Sequence, residues 1–405
     1  MNIIDYLKWR GDLSFKADPY NEVDSLVISQ FIYAEMQDVL KPEDRITVKE
    51  LSERFFAKHS MLDVVKNKPF GIHGIVTLDE MARSARFKDC VVYNYSFKLH
   101  ADTTEQFAAL MMDLPDNTTV VCFKGTDETL IGWKENCYLS YKDIAGQADA
   151  KDYVDRYCSI FHKYRFIGHS KGGNLAIYAA VHCKPLLRQA IIQIVSADGP
   201  GLRPGSYDEK VFEKLKDRYQ LIVPERDGVG TIYEMTPHRT IVKTSTGNLI
   251  EAHGQTNWEV FQNRLVRADT ERYETDVTRR SIKKFLQDTT PNQRQIFVEE
   301  TFKALAEANI KTVYQLSQGG LPILFKVIKR LSEMDSDAKG IAGAMFRSIT
   351  ENINSDLSKA FRRRAGALKL KAGSLIEEHN PFTSRKKNKE DEVTEEETVI
   401  EEGDK

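Results

Sequence analysis

Residues 163–180 read KYRFIGHSKGGNLAIYAA. A short apolar and aromatic run, Tyr164 to Ile167, is followed by Gly168-His169-Ser170-Lys171-Gly172 and then by a small-residue segment with apolar positions at Leu175, Ile177, Tyr178 and Val181. Strand, tight turn and helix are the context in which a G-x-S-x-G corner presents a nucleophilic serine. The chemistry explains the glycines. Ser170 must sit on a strained turn for its hydroxyl to clear the sheet, and side chains at 168 and 172 would collide with neighbouring backbone. The amide of Lys171 then opens a helix N-terminus and can face a developing oxyanion. A Gly-rich strand-to-helix turn can also cradle a phosphate. However, neither the G-x-x-x-x-G-K-[ST] spacing nor G-x-G-x-x-G after a strand occurs here.

A second oxyanion amide is expected from the loop after an earlier strand. Thr118 to Phe123 reads as a buried strand that runs into Lys124-Gly125-Thr126-Asp127. There Gly125 permits close approach and Thr126 supplies the N–H. A serine nucleophile also needs a base, and the base an orienting acid, in the order Ser, Asp or Glu, His. Of the nine histidines, His182, His238, His253 and His379 follow Ser170. His182 closes the elbow helix, His238 precedes its strand, and His379 borders the charged tail. His253 is the expected base, in a Gly-flanked loop after the last strand-like run; a hairpin over 239–252 would instead return it to the wrong edge. Asp198 and Asp227 each end a strand after the elbow and are both candidate acids. Strand position favours Asp227.

These groups need a sheet to carry them. Strand-like runs at 90–97, 118–123, 164–167, 190–195, 219–223 and 239–244 alternate with helical segments, including one expected over 103–114. This predicts an α/β fold, hydrolase-like, with a mostly parallel sheet covered by helices on both faces. Further helices are expected over 149–163 and 206–218. Residues 1–65 read as helical, with Thr47 and Glu50 as a capping box. The expected organisation is an α/β domain over 1–270, a helical appendage over 275–375 punctuated by Ser281, Pro291 and Pro322, and a disordered acidic tail over 381–405. Ile323, Leu324, Val327, Ile328 and Leu331 form an apolar stripe at helical spacing, expected to pack on the domain, with peripheral membrane contact as the alternative. Arg362, Arg363 and Arg364 add a local basic run.

With 405 residues, 41% of them hydrophobic, the chain can bury a sizeable core. A net charge of −2 gives no basic field for nucleic acid. Five dispersed cysteines argue against a disulfide framework or zinc site and for a reducing compartment. The N-terminus lacks an apolar signal core, and no window approaches the ~20 apolar residues of a membrane span. A cytoplasmic protein acting on a small-molecule or lipid ester, without metal or organic cofactor, is the expectation.

The elbow Gly-His-Ser-Lys-Gly-Gly-Asn, the run Phe123-Lys124-Gly125-Thr126 with Trp133 downstream, and Asp198-Gly199-Pro200-Gly201 together resemble the Mbeg-like family, a bacterial domain of unknown function related to class 3 lipases. Asp5-Tyr6-Leu7 and Gly11-Asp12-Leu13-Ser14-Phe15 also look like it, extending the resemblance over roughly 1–265. The resemblance implies that the Asp-Gly-Pro-Gly aspartate is the regular acid, with serine more often at the position of Asp227. Asp-Gly-Pro at a strand end is also similar to the acid loop of pancreatic-type lipases. On that ground Asp198 is the expected acid and Asp227 the alternative. Where the family carries an acidic residue after the histidine, this chain has Gly254. The expected function is a serine esterase or lipase-like hydrolase; the rival expectations are an inactive hydrolase-fold binding protein, and a thioesterase or peptidase using the same groups.

Overall fold

The computed structural model describes residues 1–310, apart from 35, 68–70, 128, 248 and 308. Four N-terminal helices, α1 (Ile3–Arg10), α2 (Glu22–Phe31), α3 (Val48–Lys58) and α4 (Met61–Asn67), and the short strand β1 (Arg45–Thr47) are followed by α5 (Ile72–Arg83). Next come β2 (Val91–His100), β3 (Glu105–Asp113), β4 (Thr119–Phe123), α6 (Leu130–Tyr138), α7 (Ala145–Tyr157), β5 (Tyr164–His169) and α8 (Lys171–His182). The rest is β6 (Ile191–Ala197), α9 (Glu209–Glu213), β7 (Tyr219–Pro224), β8 (Arg239–Val242), α10 (Leu249–His253), a small hairpin of β9 (Val260–Phe261) and β10 (Arg264–Leu265), α11 (Tyr273–Asp288) and α12 (Pro291–Glu307).

β1 to β8 form one sheet in sequence order, antiparallel from β1 to β4 and parallel from β4 to β8. Helices cover both faces. Alternate residues of each strand feed two cores: Leu110, Met112, Val120, Cys122 and Ile167 pack under α1, α2, α3 and α5, while Ala109, Met111, Val121, Phe123 and Phe166 pack under α7 and α8. Asn2 and Asn21 cap α1 and α2 through capping boxes, and Thr47 caps α3 by accepting the Glu50 N–H at 3.1 Å.

The helix expected over 103–114 is instead β3. Its Ala, Leu and Met residues favour helix in isolation. Both faces of the strand are buried, however, so no apolar–polar alternation marks it, and pairing with β2 and β4 overrides the local preference. The helix expected over 149–163 is α7, shifted toward the N-terminus and ending at Tyr157, and that over 206–218 shrinks to α9 and one 3-10 turn at Lys216–Arg218. Ser281 lies inside α11 rather than capping it, whereas Pro291 opens α12, where its missing N–H costs nothing. Of the C-terminal helices, α12 packs on α6: Glu299 takes a hydrogen bond from Tyr138 at 2.7 Å and an ion pair from Lys134 at 2.7 Å. The apolar stripe at 323–331, Pro322, the arginine run and the acidic tail lie outside the described residues. No described helix is long and apolar enough to cross a membrane.

Candidate active site

Register brings the strand ends to one edge. Phe123, the last residue of β4, pairs with Gly168, and His169, the last of β5, pairs with Ala197, the last of β6. β8 runs parallel to β7, so the chain beyond it emerges at this edge too, and the hairpin that would have misplaced His253 does not form. In open parallel sheets this carboxyl edge is where ligands bind.

Ser170 follows β5 with φ 58° and ψ −131°, a strained conformation for a residue with a Cβ. Its neighbours explain how the strain is held. A methyl on Gly168 would stand 2.2 Å from the Gly172 carbonyl, and one on Gly172 would stand 2.2 Å from the carbonyl of Phe123. Only glycine lets strand and helix approach so closely. Ser170 makes no side-chain cap to α8, so its hydroxyl is not spent on the first turn. Gly125 lies against the elbow: a methyl there would meet the His169 carbonyl at 2.4 Å and Ser170 Cβ at 3.2 Å. The loop carrying Thr126 is thereby placed beside Ser170, and Thr126 Oγ1 is buried with no hydrogen-bond partner.

His253 ends α10. Its Nδ1 lies 2.6 Å from Oδ2 of the fully buried Asp198, which sits just past β6 with φ 48°. Since a carboxylate only accepts, Nδ1 carries the hydrogen and Nε2 is left as the basic atom. Burial pushes the imidazole pKa down to about 4 and the Asp198 carboxyl up to about 6. The ring of His253 stands 4.6 Å from that of His169, the residue preceding Ser170. His253 and Ser170 make no direct hydrogen bond. Asp227 makes no hydrogen bond to His253; Asp227 Oδ1 and Asp198 Oδ1 both accept the Gly230 N–H, at 2.8 and 2.9 Å, which sets the two carboxyls side by side. His182 bonds the carbonyls of Tyr178 and Ser206, and His238 stands immediately before β8.

Two groups of site residues escape sequence reasoning. His169 Nε2 lies 2.8 Å from the His253 carbonyl, and Nδ1 lies 3.1 Å from the Tyr33 hydroxyl. The carbonyl can only accept, so Nε2 donates and Tyr33 donates to Nδ1; burial holds this ring well below the usual histidine range. The Tyr33 hydroxyl also packs on Gly125, where a methyl would stand 2.0 Å from it. One tyrosine from the N-terminal layer thus ties together the elbow, the Gly125 loop and the main chain of His253. The second group is Lys171, whose side chain turns under the elbow. Its Nζ donates to Glu135 Oε2 at 2.6 Å, to the Gln106 carbonyl at 2.7 Å and to Gln106 Oε1 at 3.1 Å, with both ionic side chains fully buried. The lysine inside the elbow was the available signal, but spacing gives no hint that Glu135, on α6, is its partner.

No curated protein matches the chain significantly. Among solved structures, the crystal structure of M37 lipase matches with a TM-score of 0.32 at 14% identity, covering 51% of this chain and 68% of that one. The Mbeg1-like family model matches residues 81–303. That span begins in α5 and reaches into α12, leaving the N-terminal helices outside it, whereas the sequence resemblance runs over roughly 1–265. Covering more than half of the chain, the match shows that this protein belongs to the Mbeg1-like family.

Proposed function

We propose that this chain is a serine hydrolase of carboxylic esters. The reading is carried by one observation: Asp198 holds the Nδ1–H of an otherwise neutral His253 at 2.6 Å, on the sheet edge from which Ser170 is held at positive φ. Ser170 Oγ attacks the acyl carbonyl while His253 Nε2 takes its proton. The oxyanion is met by the amides of Thr126 and Lys171, each such donor being worth about 10²–10³ in rate. Collapse of the tetrahedral species expels the alcohol, protonated by His253, and leaves an acyl-Ser170. Water, deprotonated by the same imidazole, then releases the acid and restores the serine. Asp198 keeps its charge throughout and stabilises the imidazolium. No step draws on a metal or organic cofactor. A thioester or amide would fit the same sequence of steps, and a panel of acyl donors separates them.

The test is covalent. A fluorophosphonate is expected to modify the protein stoichiometrically at Ser170, located by peptide mass spectrometry, with Ser170→Ala unmodified. A folded wild-type protein that takes up no probe would leave the hydrolase fold as a binding scaffold and overturn the reading.

A further inference from the structure

Behind His253 the structure buries two acids where one would serve. Asp198 and Asp227 are both inaccessible to solvent. Asp198 Oδ1 and Asp227 Oδ1 both accept the Gly230 N–H, at 2.9 and 2.8 Å, so the two carboxyls lie side by side. Asp227 Oδ1 also accepts the Val229 N–H at 2.8 Å, but Asp227 Oδ2 is buried with no donor. A methyl on Gly230 would lie 2.9 Å from Asp198 Oδ1 and 3.3 Å from Asp227 Oδ2, which puts the orphaned oxygen on the side of its neighbour's acceptor. Two carboxylates cannot hydrogen-bond each other, because neither has a donor, and two buried like charges in contact are strongly unfavourable.

We propose that Asp198 and Asp227 form a carboxylic acid–carboxylate pair, with one proton held on Asp227 Oδ2 and donated to Asp198, which remains ionised toward His253. Asp227 is then a positioning residue, supplying Asp198 with a donor that a lone aspartate would lack. The role deepens the hydrolase reading and rests on it for its catalytic meaning, although the pair itself does not.

The proton is assigned by what surrounds each acid. Asp198 has the His253 N–H as well as the Gly230 N–H, and both favour its charge. Asp227 makes no ion pair among the described residues. The groups facing it are Asp198 at the end of β6, His253 on α10 and Arg279 on α11. Arg279 is committed to Glu271, which also pairs with Arg239 at 2.9 Å, while Glu225 on the same loop is taken by Arg272 at 2.8 Å. Burial, then the Asp198 charge, push the Asp227 carboxyl well above the usual range. The sign of the consequence follows. In the unfolded chain Asp227 ionises near pH 4, whereas the folded protein keeps its proton to higher pH. The contribution of this carboxyl to wild-type stability is therefore fully present below about pH 4 and is lost as pH rises toward the folded value. Asparagine at 227 donates the same hydrogen bond without that loss.

The experiment compares the full-length wild type with Asp227→Asn by thermal unfolding at about pH 4.5 and about pH 8. The difference in Tm is expected to move in favour of the variant by a few degrees at the higher pH. A gap that does not change with pH overturns the pair. Infrared spectra at pH 8 supply a second readout, in which the wild type shows a protonated-carboxyl stretch that the variant lacks. If Asp227→Asn does not fold, Asp227→Ser serves for the same difference spectrum, and absence of the band overturns the proposal. Neither measurement needs catalysis. Probe uptake at Ser170 without the pH-dependent gap defeats the pair alone, and the gap without probe uptake defeats the hydrolase reading alone.

Discussion

Asp198→Asn is expected to lower kcat for an activated ester such as a p-nitrophenyl acyl ester about 10⁴-fold, with KM nearly unchanged. The substitution is close to isosteric. The new side-chain oxygen can still accept the Gly230 N–H that Asp198 Oδ1 accepts at 2.9 Å, and asparagine tolerates the φ of 48° at this position. What changes is the hydrogen on the imidazole. A carboxylate forces the Nδ1–H form of His253, whereas an amide can donate to Nδ1 and move the hydrogen to Nε2, facing the nucleophile with a donor where it needs an acceptor. A loss of that size in kcat, in a protein whose Tm is little altered, identifies a tautomer effect. A loss below tenfold would remove Asp198 from the role of orienting acid.

The second large effect concerns stability. Glu135→Gln is expected to cost roughly 3–5 kcal/mol and to lower Tm by on the order of 10 °C. Glu135 is fully buried and accepts from Lys171 Nζ, from the Gln106 amide at 3.2 Å and from the Gly146 amide at 3.1 Å. Glutamine keeps one oxygen but leaves the Lys171 ammonium without a counter-charge, in surroundings that already press its pKa down through burial. Urea unfolding measures the cost. Adding Lys171→Met to Glu135→Gln should recover part of it, because the buried ammonium left without a counter-charge is then gone while an acceptor oxygen stays at position 135. If the single change costs less than about 1 kcal/mol, the pair does not brace the elbow in the way its geometry implies.

Much of the sheet could be read in advance because β4, β5, β6 and β7 are continuous apolar runs bounded by turn residues. β3 could not, since its burial on both faces removes the alternation that identifies a strand and leaves residues that favour helix. At the site, the local grammar of Gly168-His169-Ser170-Lys171-Gly172 carries the turn, because Gly168 must clear Gly172 within the same five residues, although Gly172 itself answers to the Phe123 carbonyl. The separation of Asp198 from Asp227 is another matter. Both follow strands and both precede glycine, so spacing alone favours Asp227; it is the Asp-Gly-Pro-Gly run that singles out Asp198, and the placement of α10 sets that residue against His253 Nδ1. Tyr33 lay further out of reach: nothing in its helical setting marks a hydroxyl bonded to a ring 136 residues later.

The N-terminal layer has a consequence for how the family span behaves as a polypeptide. Ser29 on α2 hydrogen-bonds Gln255 at 2.7 Å, just past His253, and the Met1 carbonyl accepts the Val260 N–H at 2.8 Å. The earliest part of the chain must therefore wait for the segment beyond β8 before either is complete, a sequence separation that makes closure slow. A polypeptide cut to residues 81–303 would bare to water the part of one sheet face that α1, α2, α3 and most of α5 cover. It is expected to precipitate on expression, and recovery of such a piece as a cooperatively melting monomer would show that the first eighty residues are dispensable trim.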